Sequence, residues 1–476
     1  MAGEVVAKVA SVAFFIAIAR ELGQGTFGDF VFGLSLSTVV LYAAAFGADE
    51  LLARNVAREK ALVHHMLVNV LAVRSLLVIA LIAGVLGIVT IGGYPFETRV
   101  AVGLIAVGVG IELLTGAVQA VFQAYEQQKY TSVTLIVQRC FVAGVGVAVL
   151  LLGGTLIAVS GVFAVGALVG LLTAFALLRW RVARASVRVD TRLWGTLVRA
   201  GAPLGIAALL FTVLLKLDAA LLGFLKDSVE VGNYGAAFRL VEATMFLSWA
   251  MSGAMLPWFS RQVRDAPVPL WRSYELGLKA ITLVLLPIAI IYTAYAGPLI
   301  DLIYGQQYDD AVVPLQILGP MTVLYGMNVY AVIVLISRDR PGEFSRPAAV
   351  ILLQNVVFNL ILIPRYGAEG AAFNAVLSGV LLAGAAFWVV GKVMGPYSLT
   401  QALVPPIAAG AVMAGVILLG GFTIPAAVAG LAAYAACFAL IERVVFVEDF
   451  DLYARILRAA RGRGMGARTV PHELGS

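Results

Sequence analysis

The chain has 476 residues, 61% apolar and 13% charged, with 33 basic against 27 acidic side chains and a mean hydropathy of +0.97. A soluble domain runs nearer 45–50% apolar and ~25% charged, so a water-soluble fold is excluded and a polytopic membrane protein is implied. The two cysteines, Cys140 and Cys437, lie inside apolar runs, and only three histidines (His64, His65, His472) are present, which excludes a disulfide framework, a clustered metal site and His-based acid–base catalysis.

Apolar runs bounded by charges and Gly/Pro predict an all-α fold of about fourteen spans, each needing ~20 residues. The first six lie near 4–19, 27–47, 65–92, 100–124, 131–152 and 155–178. Span 1 holds Glu4 and Lys8 on one face, with Ser11 a turn further; Ala17 and Ala19 mimic a signal-cleavage site, but the uncharged balance of Glu4 and Lys8 argues against one. Span 2 carries Ser35, Thr38 and Tyr42, span 3 Arg74 and span 5 Arg139. Span 4 sets Glu112, Thr115, Gln119, Gln123 and Glu126 at helical spacing, a polar stripe that must line a cavity or a polar helix contact.

A basic linker at 186–199 follows the first half (1–185) and leads to spans near 200–224, 232–258, 276–300, 311–336, 346–364 and 369–394, which form a second half (200–395). Lys216 and Asp218 in span 7 point ~200° apart on a helix and cannot form one local pair. Arg239 and Glu242 in span 8 are three apart and can pair. Lys279 in span 9 sits near a helix end and is expected to snorkel; Asn355 and Asn359 mark span 11. Two appended spans (402–420 and 424–441, within 400–441) and a basic tail (442–476) complete the chain.

Even-numbered connections and the tail hold 23 Lys and Arg, odd-numbered connections only four. By the positive-inside rule both termini are expected to be cytoplasmic, with an even number of spans. A weak repeat links the halves: shifted by 204 residues, Gly28 aligns with Gly232 and Phe30 with Tyr234, and pseudo-symmetric halves are a frequent transporter plan.

A charge at the centre of a lipid-facing helix costs ~2.5–3.5 kcal/mol on insertion scales, so Lys8, Arg74, Arg139, Lys216, Arg239 and Lys279 must mostly face protein, water or an interface. Arg74, Arg139 and Lys216 have no acid at helical pairing distance within their spans and are read as cavity cations. Arg239 with Glu242 reads equally as a structural ion pair, and isolated intramembrane hydroxyls and amides usually serve as interhelical hydrogen bonds. The candidate substrate set is Arg74, Arg139, Lys216, Arg239, Glu112, Gln119, Gln123, Asn355 and Asn359; Asp218 and Glu242 are candidates for a coupling ion. There is no P-loop pattern, no cofactor is called for, and catalysis and nucleic-acid binding are not expected.

Four segments carry a resemblance. ARELGQGTFGDFVFGLSL (19–36), VGNYGAAFRL (231–240), DLIYGQQYDDAVVPLQIL (301–318) and NVVFNLILIPRYGAEGAAFNAVLSG (355–379) are similar, in this order, to segments of polysaccharide and O-antigen flippases of the multidrug/oligosaccharidyl-lipid/polysaccharide exporter superfamily. The resemblance implies two six-helix lobes around a central cavity, alternating between inward- and outward-open states. It also implies a polyprenyl-pyrophosphate-linked oligosaccharide as substrate, an ion gradient or membrane potential as driving force, and Arg139, Lys216 and Arg239 on cavity-lining helices. The implied partners are membrane lipids and a glycan polymerase or glycosyltransferases; a multidrug exporter, a lipid II flippase and a scramblase or assembly platform remain alternatives.

Overall fold

The computed structural model describes residues 2–181, 189–265, 270–337, 341–395 and 397–445. Its elements in chain order are α1 (Ala2–Leu41), α2 (Ala48–Arg58), α3 (Val63–Ile91), α4 (Phe96–Ala124), α5 (Gln128–Leu151), α6 (Leu156–Arg181), α7 (Trp194–Leu225) and α8 (Ser228–Asp265). They continue as α9 (Leu270–Ala294), α10 (Ala296–Tyr304), α11 (Val312–Leu318), α12 (Met321–Ser337), α13 (Ser345–Met394), α14 (Leu399–Leu419) and α15 (Ile424–Val444). Large apolar side chains stay exposed along the outer helices, among them Ile79 (65%), Leu172 (59%), Val350 (69%) and Val428 (65%). In an all-helical membrane fold, where backbone groups are satisfied within each helix, such a face is the one a bilayer covers.

Two helices fold back on themselves. On a straight helix residues 14 and 30 would lie ~24 Å apart, yet the rings of Phe14 and Phe30 are 6.1 Å apart. The reversal falls at Gly23, whose φ of 77° is left-handed and open to glycine without strain. In α13 the side-chain amide of Asn374 donates to the carbonyl of Asn355 at 2.8 Å, against ~28 Å for a straight helix. Here the turn is Gly367, at φ 53°, and Glu230 of α8 accepts the Ala368 amide at 2.7 Å, capping the returning arm.

By length and apolarity, ten described helices can cross a membrane, or eleven if the bent pair running through α11 and α12 is one span. The fourteen spans expected from sequence are not reached by that criterion. The two arms of α1 occupy the first two predicted spans and those of α13 the eleventh and twelfth, each pair counted as one helix. The charged α8 is not among the ten. The basic linker at 186–199 lies partly, and the tail at 442–476 mostly, outside the described residues.

One apolar cluster joins both halves of the chain, from Phe14, Phe30 and Phe163 through Tyr234 and Leu240 to Tyr304 and Ala371. Others lie beneath α2, α4 and α6, around Leu52, Val118 and Leu178, and among α9, α12, α13 and α14, around Leu285, Tyr330 and Ala386. The appended α14 and α15 pack on α9 through Ala409, Met413 and Tyr434.

Candidate substrate cavity

A cavity of about 400 Å³ lies between the halves, lined from α1, α4 and α5 on one side and α7 and α8 on the other. Among the described side chains four cations (Lys8, Arg139, Lys216, Arg239) and two carboxylates (Glu112, Glu242) face it, a surplus of two positive charges within that set. Ser11, Thr38 and Tyr304 add hydroxyls to the wall.

The carboxylates hold the cations in place without neutralising them all. Glu242 bridges two: Lys216 Nζ at 2.7 Å and Arg239 Nη1 at 2.6 Å. Glu112 pairs with Arg139 at 3.1 Å and accepts from the Gln138 amide at 2.6 Å. The Arg239 guanidinium lies 3.5 Å above the Phe15 ring and Lys216 Nζ 5.4 Å from that of Phe238, so aromatic faces replace part of the lost hydration. Lys8 has no ion-pair partner among the described residues. The five ion-paired side chains remain 17–28% exposed, which leaves their outer faces available to an anion.

The halves touch at both ends of the cavity. At one end Arg20 donates to the carbonyls of Ile303 (2.7 Å) and Leu302, and Tyr308 to that of Ala19 at 3.0 Å. Asp29 accepts from Ser228 at 2.5 Å and from Thr98 at 3.1 Å. Tyr94, in the turn before α4, donates to the Gly223 carbonyl at 2.6 Å; burial pushes its pKa up to about 12, so it stays a donor. At the other end Gly47 (φ 69°) packs its backbone on Gly201 and Gly205. There Asn69 Oδ1 accepts from the Asp190 amide at 2.8 Å and Trp194 Nε1 at 3.1 Å.

A second polar site is buried in the second half. Asp218, 2% exposed, accepts from Asn355 at 3.0 Å and Asn359 at 2.6 Å, with Tyr234 Oη at 3.5 Å. Asn355 also donates to Ser378 at 3.0 Å. No cation pairs with this carboxylate among the described residues, and Asn359 Oδ1 has no hydrogen-bond partner.

The sequence-nominated residues therefore separate. Arg139, Lys216, Arg239, Glu112 and Glu242 come together at the cavity. Arg74 does not: fully buried, it pairs with Asp49 at 2.8 Å and donates to the carbonyls of Leu113 (2.6 Å) and Ala45 (3.1 Å), clamping α3 to the turn before α2 and to α4. Gln119 and Gln123 lie off the cavity; Gln123 is exposed beside Asp49, Glu50 and Arg54. Asn355 and Asn359 belong to the Asp218 network. Glu242 sits between two cations, an arrangement that favours an anion over a coupling cation. Lys279 does not snorkel but is buried against Glu442 at 2.8 Å. Lys8 stands among the intramembrane cations of the sequence but outside the candidate set; the face it shares with Ser11, which also lines the cavity, is the available signal.

Two curated proteins of Haloferax volcanii are similar in part: "probable low-salt glycan biosynthesis flippase Agl15", 23% identical over 163 residues (34% of each chain), and "probable flippase AglR", 26% identical over 200 residues (40% of each). The matches thus span about a third to two-fifths of those relatives. Among solved structures, the lipid II flippase MurJ in an inward closed conformation has the same fold, with a TM-score of 0.79 at 14% identity over 93% of this chain and 98% of that one. Residues 1–263, more than half the length, match the model of the polysaccharide biosynthesis protein family, and the chain belongs to that family.

Proposed function

We propose that this protein moves a lipid-linked oligosaccharide across the membrane, binding its phosphate-bearing linkage in the cavity between two six-helix lobes (1–185 and 200–395). The observation that carries this reading is the surplus of two positive charges, among the described side chains, in a cavity walled from both halves. A pyrophosphate needs cations in a low-dielectric setting, where charge-assisted bonds are strong. Lys8, Arg139, Lys216 and Arg239 would hold it, while Ser11, Thr38 and Tyr304 offer hydroxyls to the first sugars. A volume of about 400 Å³ falls within the ~300–1,000 Å³ of ordinary ligand pockets. The lipid tail remains in the bilayer.

The lysine and arginine distribution supports termini in the cytoplasm, a cell-membrane location and export toward the outer leaflet. Asp218 is the proposed coupling-ion site: a buried carboxylate with no countercharge among the described residues is stabilised by taking up a proton or a monovalent cation. Transport, not catalysis, is the proposed activity, and a glycan polymerase or glycosyltransferases would be the partners. A multidrug exporter for cations would want a cavity of the opposite sign. The lipid II reading rests on fold alone.

The test is flipping of a fluorescent polyprenyl-pyrophosphate oligosaccharide in proteoliposomes. Lys216→Met and Arg139→Met are expected to lower the rate at least tenfold at unchanged protein incorporation. Unimpaired flipping in both would remove the cavity from the mechanism.

A further inference from the structure

A groove of about 860 Å³ runs between the two arms of α13 on the flank of the second half, away from the central cavity. Its mouth carries Arg346 and Lys392 with one carboxylate, Glu343. Its walls are apolar, with Val350 at 69% and Leu381 at 41% exposure. Trp388, 58% exposed, stands at the same level, with Lys392 Nζ 3.5 Å above its ring. Exposed tryptophan beside lysine and arginine marks the headgroup layer of a bilayer, and basic pockets between membrane helices recognise anionic headgroups.

The groove's length selects its occupant. From Arg346 to Gln354, the polar residue deeper along the groove, the helix rises ~12 Å, close to the ~15 Å depth of one leaflet in a ~30 Å hydrocarbon core. A soluble anion would use the mouth and leave the apolar walls bare. A diacyl phospholipid with an anionic headgroup fills both: phosphate against Arg346 and Lys392, one acyl chain between the arms.

We infer that this groove is a binding site for an anionic phospholipid of the leaflet that faces Arg346 and Lys392, the cytoplasmic one if the orientation proposed above holds. The deep end of the site joins the Asp218 network. Gln354 donates to Asn374 at 2.9 Å and accepts from Ser378 at 3.2 Å, and Ser378 accepts from the Asn355 amide that also binds Asp218. An acyl chain seated against Gln354 presses on side chains that hold the buried carboxylate, so lipid occupancy and the state of Asp218 are linked through three hydrogen bonds.

The experiment reads binding without transport, so its outcome is independent of the flippase reading. Full-length protein is reconstituted in nanodiscs of phosphatidylcholine and phosphatidylglycerol (3:1), extracted in mild detergent and analysed by native mass spectrometry. Wild type is expected to retain phosphatidylglycerol in preference to phosphatidylcholine, and R346Q/K392Q to lose that preference at least fivefold with an unchanged melting temperature. Should the double variant fold poorly, wild type is measured between ~50 mM and ~500 mM salt, where screening of a headgroup contact predicts a several-fold fall in retention. Equal retention in the variant, salt-independent retention, or co-purified polyprenyl phosphate in place of phosphatidylglycerol at this groove would each overturn the inference.

Discussion

Gly28 and Gly232 meet backbone to backbone where α1 crosses α8. A methyl group on Gly28 would overlap the Ser228 carbonyl and crowd the Gly232 nitrogen; one on Gly232 would overlap the Gln24 carbonyl. The same two glycines align in sequence at a shift of 204 residues. A position and its repeat-mate can touch only on an axis that relates two copies, so a pseudo-symmetry between the halves, as the sequence repeat predicts, requires its axis to pass through this contact. The bond from Gln24 Nε2 to Asn233 at 3.2 Å lies beside it.

Gly28→Ala is expected to force the two helices apart, because the opposing atoms are backbone and cannot swing away. Overpacking of this kind costs ~1–3 kcal/mol and should lower the melting temperature. It should also raise thiol labelling of a cysteine placed at Ser11 in the cavity. Gly84→Ala in α3, where an added methyl meets nothing within 4 Å, should instead be neutral or stabilising by up to ~1 kcal/mol. Identical melting and labelling in both variants would mean that the crossing does not hold the cavity shut.

Glu242 bridges Lys216 and Arg239, so its removal leaves two cations facing each other. Glu242→Gln is expected to destabilise the protein by roughly 1–3 kcal/mol, below the ~3–5 kcal/mol of a fully buried broken pair because these groups are partly exposed. Lys216→Met in the same background should recover much of the loss. A double-mutant cycle on thermal unfolding measures that coupling; strictly additive effects would contradict the bridge.

Asp218→Asn keeps the shape of the site and removes its charge. With no cation pairing with it among the described residues, the substitution is expected to change stability by less than ~1 kcal/mol or to stabilise, as relief of an uncompensated buried charge does. If Asp218 binds the coupling ion, substrate counterflow at equilibrium should persist while gradient-driven accumulation disappears. Gradient-driven accumulation at the wild-type rate would exclude this role.

Local geometry was legible in the sequence and long-range pairing was not. The two-residue offset of Lys216 and Asp218 already sends them to opposite faces, one to the cavity and the other to Asn355 and Asn359. The three-residue spacing of Arg239 and Glu242 gave their pair directly. Arg74 was misplaced because its partner, Asp49, lies in another helix, and no periodicity within span 3 could reveal it. The stripe on span 4 had the right period, but a cavity of this size takes only Glu112, and Thr115 turns back to the Ile111 carbonyl at 3.0 Å. The helical count differs in part because glycine reversals at Gly23 and Gly367 preserve helix on both sides of the fold-back, and in part because the charged α8 and the bent pair through α11 and α12 fall outside the ten.

Lys279 and Glu442 join α9 to α15 across 163 residues of sequence, with side chains only 1% and 2% exposed. With so little solvent contact, removing one partner takes from the other a 2.8 Å charged contact that water cannot replace. Glu442→Gln is therefore expected to cost ~3–5 kcal/mol and to loosen α14 and α15 from the rest. The measurable signs are a lower melting temperature and proteolytic release of a C-terminal fragment. Replacing both partners, as Lys279→Met with Glu442→Leu, should restore stability to near wild type, since a packed apolar pair matches a buried ion pair in energy. A double variant as unstable as Glu442→Gln would show that the charges themselves, and not merely the filled space, fasten the appended helices to α9.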